Sequence, residues 1–102
     1  MIRAAVHQVD FGQTNRGREQ RGKRYGVVLS ETDWSMVTVV PTSASAQDSM
    51  FRPRIDLLGR STLLLVDQIR SLDVQYVGEM VGYLSHDDMA RLDLTVTHYL
   101  GL

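Results

Sequence analysis

The chain has 102 residues, 43% of them hydrophobic, and a formal net charge of −1. That length suits one domain, residues 1–102, and the apolar fraction supports a small core and argues against bulk disorder. The lack of cysteine excludes disulfide stapling, cysteine-ligated zinc and thiol catalysis, and the near-neutral balance excludes a histone-like polycation.

Ala5 to Phe11, AVHQVDF, is expected to form a first strand ending at Gly12. Its phase, Ala5, Val9 and Phe11 against His7, is imperfect. A basic, glycine-containing loop is expected from Gly12 to Arg24. In it Arg16, Arg18, Arg21, Lys23 and Arg24 stand against one acid, Glu19, a local charge of +4. Tyr25 to Leu29 (YGVVL) and Met36 to Val40 (MVTVV) are runs of β-favouring residues, with Ser30 to Trp34 as the turn between them. Pro41 is expected to end regular pairing of the third strand or to place it at an edge. TSASAQDSMFRPR is a polar connection with a short turn around Gln47. Arg54–Leu58 and Thr62–Val66 are expected strands about a Gly59-Arg60 turn. Val77 to Leu84 is one more, weakened by Gly78 and Gly82.

The C-terminal helix has the clearest signals. Ser85 is placed to cap it, with Asp88 three positions on and Asp87 and Asp88 at its positive end. Met89, Leu92, Val96, Tyr99 and Leu100 then recur on one side, and Gly101 terminates the helix. Five or six short strands and one or two helices predict a mainly β fold, a small barrel or strongly bent sheet closed at one opening by the last helix. Dinucleotide-binding and P-loop fingerprints are absent. No apolar run approaches the ~18 residues of a membrane span, and MIRAAVHQV lacks the apolar core of a signal peptide. A cytoplasmic protein is expected.

His7, His86 and His98 form no metal-binding spacing and are expected in structural or surface roles, with no metal or other cofactor. Asp67 and Asp73 are expected to pair with Arg70 or Arg60. The basic loop points further. Arg18, Arg21, Lys23 and Arg24 lie within seven residues, and arginine makes bidentate phosphate contacts. A solvated charge run is the plainer alternative. Two features favour the phosphate site: Arg24 abuts a core strand, and Thr42 and Ser43 follow another, so both sets stand on rigid elements. Arginine, hydroxyl and carboxylate suffice to cleave RNA without a metal, because the substrate carries its own nucleophile, the ribose 2′-OH. The site must align that hydroxyl, stabilise charge on the phosphoryl oxygens and move protons. Glu19 and Arg24 are both candidates for the last task.

VDFGQTNRGREQRGKRYGVVLS, VTVVPTSAS, STLLLVDQIRSLD and VGYLS leading into the helix that ends YLGL follow one another in order from about His7 to Leu102. This arrangement resembles the MazF/PemK-like toxins of toxin–antitoxin pairs. The resemblance implies an SH3-like barrel with an added helix, usually a homodimer. It also implies a metal-independent, sequence-specific endoribonuclease (mRNA interferase) acting on single-stranded RNA and leaving 2′,3′-cyclic phosphate and 5′-hydroxyl ends. The family's catalytic arginine falls on Arg24, its threonine on Thr42 and its first-loop glutamate on Glu19, with Gln20 beside it. Ser43 becomes a supporting hydroxyl, and Gln68 and Arg70 of the DQIR segment become RNA-binding candidates. Arg18, Arg21 and Lys23 would hold flanking phosphates, and Tyr25, Phe51 and Trp34 are candidates to stack on bases. A cognate antitoxin with a flexible acidic segment is the implied partner. Two departures stand out: Tyr25 replaces the usual proline, and Arg3 to His7 replaces the usual opening. The alternatives are a CcdB-like toxin that inhibits DNA gyrase through its helix face, without needing Arg24, and a non-catalytic RNA-binding barrel.

Overall fold

The computed structural model describes residues 1–12, 22–31 and 35–102. They form β1 (Ala5–Asp10), β2 (Lys23–Glu31), β3 (Met36–Ser43), β4 (Arg54–Leu57), β5 (Arg60–Leu64), β6 (Arg70–Asp73), β7 (Val77–Tyr83) and helix α1 (His86–Leu100). Single 3-10 turns at Val66–Gln68 and Val74–Tyr76 flank β6. The pairing is antiparallel, in the order β4-β5-β3-β2-β1-β7, with β6 added to β3. This curled sheet with one C-terminal helix is the expected architecture.

The doubled valines explain why the sheet curls around two cores. Val27 and Val40 face a core shared with Leu64, Met89 and Leu92, whereas Val28 and Val39 face a second one with Val9 and Phe11. Successive strand residues point to opposite faces, so an unbroken apolar run implies burial on both. Each fully buried valine contributes about 1.5–3 kcal/mol. Gly26 sits between these layers. A Cβ there would lie 3.0 Å from Val9 Cγ2 and 3.5 Å from Phe11 Cζ, so a larger residue would have to displace Val9 where β1 packs on β2.

The imperfect phase of the first strand has a local cause. Its pairing with β7 shifts register between Val6 and His7 and again between His7 and Val9, so Ala5 and Val6 are both buried. Such bulges turn side chains out of strict alternation. His7 Nδ1 lies 2.9 Å from the Gly78 carbonyl oxygen, a structural tie across the irregular stretch.

Four expectations need correction. β2 starts at Lys23 and runs to Glu31, so the expected basic loop is shorter and the turn expected from Ser30 starts later. Pro41 neither ends β3 nor marks an edge. It pairs with Gly26 inside a central strand that continues to Ser43. Its carbonyl accepts the Leu65 N–H at 2.9 Å, so its missing donor falls where β3 passes from β6 to β5. Among the described residues there are seven strands rather than five or six: β6 was not expected, because it buries only Leu72, too little for a visible period. The fourth strand stops at Leu57 and the fifth starts at Arg60, leaving a two-residue turn.

Helix α1 follows its signals at both ends. Ser85 Oγ accepts the Asp88 N–H at 3.1 Å. Gly101 takes φ 73°, and the Gly101 and Leu102 N–H groups bond the His98 and Thr97 carbonyls at 3.1 and 3.0 Å. That is the paired C-terminal closure glycine permits. The apolar stripe is only half used: Met89 and Leu92 are buried and Val96 packs beside them, but Tyr99 and Leu100 are exposed. Among the described residues no helix is long and apolar enough to cross a membrane.

Candidate active site

β1 and β2 pair up to the two ends of the basic segment. Phe11 N–H bonds the Gly22 carbonyl at 2.9 Å, and Gly12 and Gly22 both take positive φ. Lys23 and Arg24 are therefore strand residues opposite Asp10 and Val9, and both are exposed. Arg18, Glu19, Gln20 and Arg21 lie outside the described residues, as does Trp34.

Beside this strand end is a groove of about 640 Å³. One side carries Gln8 of β1 with Lys23, Arg24 and Tyr25 of β2. Its floor is the end of β3, Thr42 and Ser43, continuing to Ala44 and Ser45. The β4–β5 hairpin supplies Leu57, Leu58, Arg60 and Thr62. Three cations and no carboxylate line it among the described residues. A concave surface with charge of one sign concentrates counter-ions locally even when the net charge of the molecule is near zero.

The two hydroxyls of β3 are buried and held differently. Thr42 Oγ1 donates to the Tyr25 carbonyl at 2.9 Å, which locks β3 to β2 beside Arg24. Its lone pairs remain for a second partner, but its proton is engaged. Ser43 Oγ accepts from the Ser45 and Ala46 N–H groups at 3.2 and 3.0 Å, shaping the turn after β3. Ser43 makes no donated bond among the described residues, so its proton remains for a ligand.

Other expected residues are elsewhere. Gln68 lines a second recess of about 440 Å³ with Gln47, Asp48, Arg52 and Asp67. The Arg70 guanidinium sits 5.4 Å from the Phe11 ring centroid. Phe51 packs edge-on against Tyr99, centroids 5.1 Å apart. None of the three lines the first groove. Asp67 does not pair with Arg70 or Arg60: Arg52 grips it through two bonds of 2.9 and 2.8 Å. That grip holds the Asp67 carboxyl below, and the Arg52 guanidinium above, their ordinary ranges. Asp73 instead accepts the Gln75 N–H at 2.9 Å, capping the second 3-10 turn.

Gln8, Leu58, Arg60 and Thr62 are groove residues the sequence did not single out. A turn was expected here at Gly59-Arg60 rather than at Leu58-Gly59, and which way a hairpin tip faces is not a local property. Among the described residues no cluster of three His, Cys, Asp or Glu is placed to hold a metal ion.

The model of one family, "PemK-like, MazF-like toxin of type II toxin-antitoxin system", matches residues 2–100. A Mycobacterium tuberculosis protein named "Putative toxin Rv3098A/RVBD_3098A" is 53% identical over 105 residues, covering 100% of this chain and 99% of its own length. Among solved structures, MazF from Deinococcus radiodurans superposes with TM-score 0.84 at 24% identity, covering 98% of this chain and 96% of that one. A mycobacterial endoribonuclease in complex with its cognate antitoxin gives TM-score 0.81 at 16% identity, covering 100% and 96%. At those identities the structural likeness speaks for the fold alone.

Proposed function

Because this chain belongs to the PemK-like, MazF-like toxins of type II toxin–antitoxin systems, we propose that it is a single-domain endoribonuclease of single-stranded RNA. The observation that carries this reading is the groove in which Lys23, Arg24 and Arg60 surround the Thr42 and Ser43 hydroxyls with no described carboxylate among them. An RNA phosphate brings a single negative charge and acceptor oxygens only, which matches that lining.

In the reaction the 2′-oxygen bonds to the adjacent phosphorus while the P–O5′ bond breaks, giving a 2′,3′-cyclic phosphate and a 5′-hydroxyl. The 2′-OH loses a proton and the leaving 5′-oxygen gains one. Arg24, fixed at a strand start, faces the charge that grows on the phosphoryl oxygens. Ser43 donates to a phosphate oxygen directly. Thr42 does so by turning its proton from the Tyr25 carbonyl to the substrate. Glu19 supplies the carboxylate, orienting Arg24 or taking the 2′-OH proton. Lys23, with Arg18 and Arg21, holds neighbouring phosphates, and Gln20 meets the RNA from the same loop. Gln68 and Arg70, on the far side of β3, contact RNA only where the strand leaves the groove.

The partners follow from the same surface. A mycobacterial neighbour is an endoribonuclease in complex with its cognate antitoxin. An acidic antitoxin segment crossing this cationic groove would exclude RNA by occupying it. A homodimer is part of the reading: β7 ends the sheet order and exposes Met80 and Tyr83, an edge that needs covering.

The test uses purified wild type and Arg24→Ala with a long single-stranded RNA in EDTA. Discrete fragments with cyclic-phosphate ends are expected from the wild type. Arg24→Ala is expected to cut at least about 100- to 1000-fold more slowly, the loss typical of removing one transition-state donor. Intact RNA with the wild type would sink the reading. Cutting only when a divalent ion is restored would overturn the metal-independent route.

A further inference from the structure

We propose that the tip of the β4–β5 hairpin is the second wall of the RNA site, where Arg60 holds a phosphate and Leu58 packs against a base and so sets part of the base preference. This rests on the RNA-cleaving reading above and adds a substrate-selecting element to it.

The turn itself is the first indication. Leu57 pairs with Arg60, so only Leu58 and Gly59 connect the strands, and both take positive φ, 53° and 81°. Such two-residue turns favour Asn-Gly or Gly-Gly, because a branched side chain is unfavourable at the first position. Backbone demands alone would not place leucine there. Nor does the core claim it: Leu58 is 56% exposed. Its Cδ2 lies 3.9 Å from where a Cβ on Gly82 would stand, so the side chain reaches toward β7 across the seam of the curled sheet. Among the described residues, Leu58 and Tyr25 are the exposed large apolar side chains on the groove, one from the hairpin and one from β2. RNA recognition works by splaying out unstacked bases and packing them on side chains.

Arg60 is the second indication. Arg3, Arg52, Arg54 and Arg91 each pair with a carboxylate, to Asp93, Asp67, Asp48 and Asp88 respectively. Arg70 lies over Phe11. The exposed Arg60 side chain has no ion pair or hydrogen bond among the described residues, yet it lines the groove opposite Arg24. β5 and β2 are separated only by β3. Arg24 and Arg60 therefore reach the groove from strands on either side of β3, whose end carries the Thr42 and Ser43 hydroxyls.

The experiment measures binding, so that it does not depend on cleavage. Labelled single-stranded oligonucleotides with 2′-O-methyl riboses, which lack the nucleophile, are titrated with wild type, Arg60→Gln, Arg60→Lys and Leu58→Asn across a salt series. Arg60→Gln is expected to weaken binding about tenfold and to reduce the salt slope by about 0.7, one phosphate contact on a single strand. Arg60→Lys should recover the slope. Leu58→Asn suits the turn and should fold. It should keep the slope but even out affinities by about three- to tenfold among oligonucleotides that differ at single bases. An unchanged slope in Arg60→Gln overturns the phosphate role. An unchanged ranking in Leu58→Asn, with or without a lower melting temperature, overturns the base role and makes Leu58 a structural latch. Wild type that binds these oligonucleotides but leaves unmodified RNA intact sinks the nuclease reading and leaves the hairpin role standing. Wild type that binds none overturns both.

Discussion

Thr42 has one proton and two tasks. In this structure the proton goes to the Tyr25 carbonyl, and the side chain is 4% exposed. Thr42→Val keeps the shape but strips the part-buried Tyr25 carbonyl of a donor, which costs about 1 kcal/mol. We expect a lower melting temperature and RNA cleavage reduced about 100- to 1000-fold. Thr42→Ser keeps the hydroxyl and should stay within about tenfold of wild type in cleavage. Equal rates for the valine and serine variants would remove Thr42 from the chemistry. Leu58 makes the same point about residues and context. Left-handed backbone costs a non-glycine residue about 1–2 kcal/mol, and natural sequences tolerate such strain chiefly where a site uses it.

At the scale of elements, Arg52 joins pieces distant in sequence. It bonds Asp67 in the first 3-10 turn and the Gln47 carbonyl, at 3.0 Å, in the long connection before β4. Tyr99 adds α1 to the same junction through its edge contact with Phe51. The Asp67 carboxyl is held below its ordinary range chiefly by the hydrogen bond from Arg52. A depressed carboxylate stabilises the fold fully above its unfolded pKa, about 3.9, and loses that contribution as pH falls through the folded value. Asp67→Asn should therefore melt below wild type at pH 7. The gap should close as pH falls below about 4 in thermal melts. A gap independent of pH would show that the pair contributes by shape alone. The pair is partly exposed, side chains at 16% and 32%, so the effect should be modest and should shrink in salt.

For the whole molecule, a net charge of −1 gives little long-range attraction to RNA. On the proposed reading, affinity comes from local fields such as that of the groove. If Lys23, Arg24 and Arg60 each meet one phosphate, raising salt from 50 to 200 mM should weaken binding roughly twentyfold, from a slope of about −2.1. A salt-independent affinity would mean that the groove cations do not touch the RNA backbone. A steeper slope would bring the cations of residues 13–21 into contact as well. Curling makes the site possible: it brings the hairpin tip over against β2, so cations distant in sequence share one concavity.

What the amino-acid sequence determined by itself was local. Runs of β-favouring residues marked β2 and β3, Ser85 and Gly101 marked the ends of α1, and family motifs placed Arg24 and Thr42 as the paired candidates. Each is carried by a few consecutive residues, or by a block long enough to recognise. Only the tertiary structure decided what depends on partners far along the chain. It kept Pro41 inside a central strand, because the gap between β6 and β5 absorbs the missing donor. It separated Gln68 and Arg70 from the Arg24 groove, because β6 pairs with the N-terminal half of β3 and β5 with its end. It assigned Asp67 to Arg52 and, among the described residues, gave Arg60 no carboxylate partner. Short-range propensity specifies strands and caps; the direction a turn faces, and the charge it meets there, are set by how the sheet closes.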